Sequence, residues 1–338
     1  MVNVLLGFPP NPDPALVSRV VDCAPDEDIE VVVCPYMEDD ARRTARATGA
    51  VAHSELTREQ REAFAHAEVM LAWDLPVDVE TVAPRLRWVQ AIGAGVDHFR
   101  GANLDGVTVT NAVGVAAVPI AEFVIGRLLA VWKRFDDLAD AQARKAWEPT
   151  FGRTFDGSTL GVVGLGAIGT AVAERAKAFG VHVLGVRRRH TPGASSPFAD
   201  EVFGTDDLHE VLGRCDAVVL SAPSTPETAD LFDTAAFAAM RPGAVFCNVA
   251  RGALVDEDAL VDALESGHLG AAIIDVTKKE PLPDDSRLWT APRLHLSPHS
   301  SASLDRYLDS IFDLFTDNLR RYVDGEPLRN VVDLSAGY

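Results

Sequence analysis

Leu160-Gly-Val-Val-Gly-Leu-Gly-Ala-Ile-Gly169 is a short apolar run that leads directly into a glycine-rich turn. A helical pattern of apolar residues continues from this turn to Phe179, Gly180 suits a helix C-cap, and a second apolar run covers residues 181–186. Strand, turn, helix and strand in this order predict a βαβ unit of a parallel sheet.

The turn has the spacing GxGxxG, which by itself is a weak signal because glycines also end helices and form ordinary turns. Its position after a strand and at the start of a helix favours dinucleotide binding over a purely structural turn. Gly164 then permits the tight turn, Gly166 lets the backbone approach a pyrophosphate, and Gly169 allows close helix packing. Ala167 and Ile168, in the same turn, are expected to contact the cofactor as well.

The alternation of strands and helices runs through most of the chain. N-terminal strands are predicted at residues 3–6, 29–33, 69–72, 86–91 and 108–114. A long helix from Val118 to about Trp147 follows, with Pro119 in its first turn, and we expect it to link two domains. Beyond the βαβ unit, strands are predicted at residues 217–220, 245–249, 271–274 and 294–296, and helices near residues 208–212, 235–240, 256–266 and 303–323. The predicted fold class is α/β, with two doubly wound parallel sheets.

Three ionisable residues lie just past three of these apolar runs. Arg251 comes after the run at 245–249, Glu280 after 271–274, and His299 after 294–296. Because the carboxyl ends of parallel strands meet at one edge of a sheet, we expect the three side chains to converge. A cation, an acid and an imidazole are the groups that hydride transfer to a 2-keto acid needs.

Each of the three also has a structural interpretation. Arg251 can tie a loop to the next helix, and Glu280 has the sequence context of a solvated turn residue. His299 is one of nine histidines, and His98 also follows a glycine-rich turn, although capping or solvent exposure suits His98 better. In the functional interpretation, Glu280 holds the tautomer of His299 and favours a protonated general acid. Arg251 then grips a substrate carboxylate and the neighbouring carbonyl in a planar two-point contact.

The second strand of the βαβ unit ends in Arg187-Arg-Arg-His190. An NAD-specific fold usually has an acid at this point for the ribose 2′-hydroxyl, whereas arginines fit a 2′-phosphate. A solvated basic rim is the alternative. Three arginines in a chain with a formal charge of −19 favour the phosphate interpretation, with Arg187 and Arg188 as ligands and NADP preferred over NAD.

The composition limits the classes of function. At 338 residues the chain is longer than one hydrophobic core usually serves, which predicts two domains. A charge of −19 repels phosphate backbones and anionic bilayers, and no run approaches the ~20 apolar residues of a membrane span. We therefore expect a cytoplasmic protein that binds neither nucleic acid nor membrane. The four cysteines lack the spacing of a metal site, so we predict no metal and expect reduced, buried thiols.

Six segments, in order along the chain, resemble the signatures of the D-isomer-specific 2-hydroxyacid dehydrogenases. They are Gly93-Ala-Gly-Val-Asp97, Gly164-Leu-Gly-Ala-Ile-Gly169, Ser221-Ala-Pro-Ser-Thr-Pro-Glu-Thr228, Asn248-Val-Ala-Arg-Gly-Ala-Leu-Val-Asp256, Asp275-Val-Thr-Lys-Lys-Glu-Pro281 and Ser297-Pro-His299. Such an ordered set is far more specific than any single motif. It leaves only the N-terminal part, up to Gly93, without a strong motif.

The resemblance implies a Rossmann cofactor domain, residues 113–298, inserted in a flavodoxin-like substrate domain made of residues 1–112 and 299–338. Substrate would lie in the cleft between the two domains. The family is typically homodimeric, with the long helix after residue 117 in the interface. The partners implied are thus a small 2-keto or 2-hydroxy acid and a second copy of the chain.

The resemblance also implies roles for individual residues. Arg251 would bind and polarise the keto acid, His299 would donate the proton, and Glu280 would orient His299. Backbone amides at Ala94 and Gly95 would hold the substrate carboxylate. Further cofactor contacts implied by the matching motifs are Ala222, Pro223, Thr228, Val249, Ala250 and Asp275.

Two departures from the family pattern, Thr277 in place of phenylalanine and Ser297 in place of threonine, remove no reacting group. Residues 280–289 and 326–332 are most similar to the glyoxylate/hydroxypyruvate reductase branch, which often uses NADPH. Trp289 is either a wall of the substrate pocket or a core tryptophan. The side chain of the substrate stays open at this point.

A non-enzymatic dinucleotide sensor of the same fold is the alternative from another class, because such a protein can retain the same residues. A formate-type dehydrogenase fits less well, since that branch has glutamine at the position of Glu280.

Overall fold

A computed structural model describes residues 1–8, 12–37, 53–96, 99, 101–188, 195–303 and 306–334. The chain forms two compact units, one of Met1–Val115 with Leu304–Tyr338, here called the split unit, and one of Ala116–Ser303, here called the inserted unit. The boundaries after residues 115 and 303 lie three and five residues later than the predicted 112 and 298. His299 therefore belongs to the inserted unit and not, as predicted, to the C-terminal segment of the split unit.

The split unit contains one five-stranded sheet in which every neighbouring pair is parallel. Its strands are β1 (Val2–Gly7), β2 (Ile29–Val33), β3 (Val69–Ala72), β4 (Trp88–Ala91) and β5 (Thr108–Thr110). Their order, β2-β1-β3-β4-β5, is the flavodoxin-like order. This part of the predicted fold class is confirmed.

Four helices of the split unit are described. They are α1 (Pro14–Val21), α2 (Arg58–His66), α3 (Val79–Val82) and, after the chain returns from the inserted unit, α10 (Tyr307–Val323). α2 begins with a capping box, because the Thr57 hydroxyl accepts the Gln60 N–H and the Gln60 side chain accepts the Thr57 N–H. α10 buries Phe312, Phe315 and Leu319 on one face, and Phe315 stacks on Trp88 of β4 at 5.2 Å between ring centroids.

The inserted unit contains a seven-stranded parallel sheet. Its strands are β6 (Thr159–Val163), β7 (His182–Val186), β8 (Glu201–Phe203), β9 (Ala217–Leu220), β10 (Val245–Asn248), β11 (Ala271–Ile274) and β12 (Leu294–Leu296). The order is β12-β11-β10-β9-β6-β7-β8. β7 and β8 are thus added on one side of β6, and β9 to β12 are added on its other side, so the strand order switches between β6 and β9. This is the doubly wound Rossmann arrangement, which confirms the second part of the predicted fold class.

The helices of the inserted unit are α4 (Ala117–Trp132), α5 (Phe135–Ala143), α6 (Ala167–Ala178), α7 (Leu208–Leu212), α8 (Thr234–Ala239) and α9 (Glu257–Glu265). One continuous helix to Trp147 was predicted, and this prediction was wrong. The helix ends at Trp132, Arg134 adopts a left-handed conformation with a φ of 56°, and α5 begins after it. The returning chain occupies the helix end, because the Arg153 N–H bonds to the Trp132 carbonyl (2.8 Å).

Strands β9, β10 and β11 are buried along their whole length, as expected for a sheet covered by helices on both faces. All four cysteines are buried and free, and burial raises the pKa of Cys215 to about 12. Within the described residues, no helix is both long and apolar enough to cross a bilayer, and no group of histidine, cysteine and acidic side chains suits a metal ion.

Candidate active site

The glycine turn after β6 is held by both strands that flank β6. Gly164, at a φ of 101°, donates its N–H to the Val186 carbonyl at the end of β7 (2.9 Å), and its carbonyl accepts the Ser221 hydroxyl beyond β9 (2.8 Å). A methyl group at Gly169 would lie 2.0 Å from the Gly164 carbonyl oxygen, so α6 packs directly on the turn. A methyl group at Gly166 would meet nothing within 4 Å, so the turn is open on that side.

The N-terminus of α6 adjoins this open side. The helix begins at Ala167, and Thr170 donates its N–H to the Gly166 carbonyl (2.9 Å). The first amides of a helix, here including those of Ala167 and Ile168, have no partner within the helix and favour an anion. Open space beside such amides fits a dinucleotide pyrophosphate.

The two arginines predicted to bind a 2′-phosphate directly follow β7. Arg187 is half-buried, its N–H bonds to the Phe203 carbonyl of β8 (3.1 Å), and its side-chain Nε is shielded from solvent. That Nε has no hydrogen-bond partner among the described residues, although a buried donor normally has one. Arg188 is exposed. Arg189 and His190, the remainder of the basic run, lie outside the described residues.

The other predicted cofactor contacts lie at the same edge of the sheet. The Ala222 backbone is so close to the glycine turn that a methyl group at Gly164 would lie 2.6 Å from the Ala222 nitrogen. The Thr228 hydroxyl donates to the Pro223 carbonyl and accepts the Thr225 N–H (both 2.8 Å), so it shapes the loop after β9. Val249 and Ala250, after β10, are buried. Their contacts with a cofactor stay predictions.

Glu280 and His299 form a hydrogen-bonded pair. The distance between Glu280 Oε2 and His299 Nδ1 is 2.8 Å, and Glu280 Oε1 accepts the Thr277 N–H (3.0 Å). Burial alone would raise the pKa of Glu280, but the hydrogen bonds from His299 and Thr277, with the charges of His299 and Arg251, bring it below its usual value. An ionised Glu280 accepts a hydrogen bond from the Nδ1–H of His299, which leaves Nε2 of His299 for other chemistry.

Arg251 lies close to this pair. The three residues follow β10, β11 and β12, which are neighbours in the sheet, and the Arg251 charge acts on the Glu280 carboxyl. The next residue, Gly252, touches the segment that carries Glu280, since a methyl group there would lie 1.9 Å from the Thr277 carbonyl carbon. Arg251 Nη1 also donates to the Ala250 carbonyl (2.8 Å). The structure therefore joins Glu280 and His299 by a hydrogen bond and places Arg251, the third residue that the sequence singled out, at the end of the neighbouring strand β10.

Asp275 holds the segment that carries His299. Its carboxylate is buried and accepts the Ser297 hydroxyl (2.6 Å) and the backbone N–H groups of Ser300 (2.9 Å) and Ser301 (3.2 Å). Its backbone carbonyl accepts the His299 N–H (2.8 Å), while His299 itself adopts a left-handed φ of 51°. The motif match predicts only a cofactor contact for Asp275, and that contact stays a prediction. Ser297, Ser300 and Ser301, which surround His299 in the sequence, were the signal from which the structural role of Asp275 could have been predicted.

Of the predicted substrate contacts outside the trio, Ala94 and Trp289 are exposed and Gly95 is half-buried. In the split unit, the Ala94 carbonyl accepts the Asn111 side-chain amide (2.8 Å), and Ala94 is exposed next to Gly95. Asp97 and His98 lie outside the described residues. In the inserted unit, Trp289 is 56% exposed and donates its ring N–H to the Pro283 carbonyl (2.8 Å). Trp289 is therefore not a core tryptophan, and its role as a pocket wall stays a prediction.

We expect Asp275→Ala to loosen residues 297–301 while the sheet stays folded. Loss of three hydrogen bonds to a buried carboxylate should cost about 2–4 kcal/mol of stability. Hydrogen exchange should show faster exchange at the Ser300 and Ser301 amides, with little change in β6 and β9. Asp284→Asn, at an exposed acid in the same unit, serves as the control. Unchanged protection at Ser300 and Ser301 would contradict the role given to Asp275.

The chain is similar to known proteins over most of its length. The family model described as D-isomer specific 2-hydroxyacid dehydrogenase, NAD binding domain, matches residues 125–301. D-3-phosphoglycerate dehydrogenase of Methanocaldococcus jannaschii is 30% identical over 317 residues, which cover 90% of this chain and 60% of that protein. Glyoxylate/hydroxypyruvate reductase B of Klebsiella pneumoniae is 33% identical over 289 residues, which cover 82% of this chain and 88% of that protein.

A solved structure is similar over the whole chain. The NADPH-dependent glyoxylate/hydroxypyruvate reductase of Sinorhizobium meliloti, determined with NADP and sulfate, matches with a TM-score of 0.78 and 26% identity, covering 100% of both chains. The chain spans only 60% of the length of the M. jannaschii relative. The resemblance drawn from the six motifs is confirmed, including its similarity to the glyoxylate/hydroxypyruvate reductase branch. The chain belongs to the D-isomer specific 2-hydroxyacid dehydrogenase family and carries the NAD-binding domain of that family.

Proposed function

We propose that the protein reduces a small 2-keto acid, of the glyoxylate or hydroxypyruvate kind, to the D-2-hydroxy acid. The observation that carries the proposal is the 2.8 Å hydrogen bond between Glu280 and His299, beside Arg251 at the strand edge that also holds the glycine turn. Support for the substrate class comes from two reductase relatives, both of which are named for both keto acids and one of which is NADPH-dependent.

Each member of the trio has a distinct task in this proposal. Glu280 accepts a hydrogen bond from the Nδ1–H of His299, which fixes the ring, so that the Nε2–H of a protonated His299 can donate its proton to the developing alkoxide. The Arg251 guanidinium binds the substrate carboxylate and polarises its carbonyl. The hydride for the carbonyl carbon would come from a nicotinamide held at the glycine turn.

His299→Ala tests the proton donor. We expect kcat for reduction of glyoxylate or hydroxypyruvate to fall by about 10²- to 10⁴-fold, because proton transfer in the transition state is lost. NADPH affinity, measured by nucleotide fluorescence, should change little. His209→Ala, at a histidine on α7, is the control. If His299→Ala kept the turnover of the wild type, His299 would be ruled out as the proton donor. If the wild type bound NADPH but turned over no keto acid, the result would favour a non-enzymatic dinucleotide sensor.

The lowered pKa of Glu280 predicts where its contribution depends on pH. A carboxylate whose folded-state pKa is depressed contributes fully above its ordinary pKa and loses its effect only as the pH falls through the lower value. The ratio of wild-type to Glu280→Gln kcat/KM should thus be large, about tenfold or more, and constant from about pH 5.5 to about pH 8. The range from pH 7 to pH 6 lies about two units above the ordinary pKa of a glutamate. A ratio that already declines in that range would contradict an ionised Glu280.

We also propose that NADP is preferred over NAD through Arg187 and Arg188. The shielded Arg187 Nε, which has no partner among the described residues, supports this proposal. Charge reversal, Arg187→Glu with Arg188→Glu, should raise the dissociation constant of NADPH by about tenfold to hundredfold, since charge-assisted hydrogen bonds to the 2′-phosphate are lost. NADH affinity should change far less when both are measured by calorimetry. Equal losses for the two nucleotides would contradict the 2′-phosphate role.

A homodimer is proposed from the apolar side chains that α5 and the following segment expose. Phe135 is 53% exposed, Trp147 100% and Phe151 85%, an unusual amount of apolar surface for one short stretch. Trp147→Ser with Phe151→Ser should raise the dimer dissociation constant at least about tenfold, measured by sedimentation equilibrium. Phe179→Ser, at a residue that is 44% exposed elsewhere in the unit, is the control. A wild-type monomer at micromolar concentration would refute the proposal.

A further inference from the structure

Glu280 lies at the end of a short turn, residues 277–280, beyond β11. The turn is closed on itself, because the Thr277 N–H donates to Glu280 Oε1 (3.0 Å). Its backbone also packs directly on the segment after β10, since a methyl group at Gly252 would lie 2.3 Å from the Lys278 nitrogen. The position of the Glu280 carboxylate therefore depends on how the backbone of this turn is held.

Two carboxylates from other parts of the inserted unit hold the turn at Lys278. The Lys278 N–H donates to Oε1 of Glu257, in the first turn of α9 (2.6 Å). The Lys278 Nζ donates to Oδ1 of Asp230, in the loop before α8 (2.6 Å). That loop is itself fixed, because the Asp230 N–H bonds to the Ala253 carbonyl (2.9 Å). Lys278 is thus tied through its backbone to α9 and through its side chain to the loop before α8.

The tie to Glu257 is the stronger of the two. Glu257 is half-buried, and a carboxylate that accepts a backbone N–H forms a short, charge-assisted hydrogen bond. The pair of Lys278 and Asp230 lies at the surface, with side chains 40% and 54% exposed, and ion pairs of this kind contribute little. The start of α9 is also well ordered, since the Asp256 side chain accepts two N–H groups there. Glu257 therefore offers a fixed point for the turn.

We propose that Glu257 is a positioning residue of the active site, because it holds the turn from which Glu280 reaches His299. This inference rests on the proposed proton transfer by His299. Glu257 acts through the backbone of Lys278 on Glu280, whose Oε2 lies 2.8 Å from His299 Nδ1. Hydrogen bonds weaken steeply with poor alignment, so a small shift of the turn costs much of the bond that orients the imidazole.

Two substitutions at Glu257 test this role in the full chain. Glu257→Ala removes the tie, whereas Glu257→Gln keeps an oxygen that can accept the Lys278 N–H. In Glu257→Ala we expect kcat for reduction of glyoxylate or hydroxypyruvate to fall about 5- to 50-fold with KM within about twofold, because the imidazole acts in the transition state. Glu257→Gln should keep kcat within about threefold of wild type. Asp258→Ala removes the next acid of α9 and its bond to Arg287 (3.0 Å), and this matched control should leave kcat unchanged.

A double-mutant cycle separates positioning from a general loss of stability. In the Glu280→Ala background, Glu257→Ala should lower kcat by less than about twofold, because the carboxylate through which it acts is already missing. Hydrogen exchange gives a readout that does not need turnover. The amides of Thr277 and Lys278 should exchange faster in Glu257→Ala, whereas the amides of β11 should keep their protection.

The outcomes separate this inference from the proposed function. A wild-type kcat in Glu257→Ala, or a fall of equal size with and without the Glu280 side chain, would overturn the inference and leave the role of His299 intact. A wild type that turns over no keto acid would overturn the proposed function. Exchange at Thr277 would then decide whether Glu257 places Glu280: faster exchange in Glu257→Ala would support it, and unchanged protection would overturn it.

Discussion

The site depends most on the hydrogen bonds that the buried carboxylate of Asp275 accepts. A charge in this environment is stable only where hydrogen bonds satisfy its oxygens, and the three donors come from residues 297–301. The segment after β12 is thereby fixed to the end of β11, which keeps His299 in the inserted unit and in a left-handed conformation that a histidine rarely adopts. Glu280, five residues after Asp275 in sequence, then meets His299 at hydrogen-bond distance.

A second constraint is the close approach of backbone segments at the glycine turn after β6. Gly164 and Gly169 have no room for a side chain, because a methyl group at either would lie within 3 Å of backbone atoms. The turn can therefore bond to the end of β7 and to the loop after β9 at once. The same turn leaves Gly166 open beside the first amides of α6, so structural and binding requirements are met by one short sequence.

Much of this could be predicted from the sequence, because the signals are local. Buried parallel strands are continuous apolar runs, and the predicted runs at residues 217–220, 271–274 and 294–296 coincide with β9, β11 and β12. Arg251, Glu280 and His299 could be singled out since each follows such a run. The short strand β8, Glu201–Phe203, was missed because three partly exposed residues carry no clear pattern. The break between α4 and α5 was also missed, since it depends on the returning chain at Arg153.

By itself the sequence determined the fold class, the family and the identity of the three ionisable residues, because periodicity, glycine spacing and ordered motifs are properties of neighbouring positions. The tertiary structure alone decided which atoms meet: that Glu280 bonds to Nδ1 of His299, that Asp275 faces the serines around His299, and that His299 belongs to the inserted unit. Such contacts join residues that are distant along the chain, and they follow from strand order and loop packing, which no local pattern encodes.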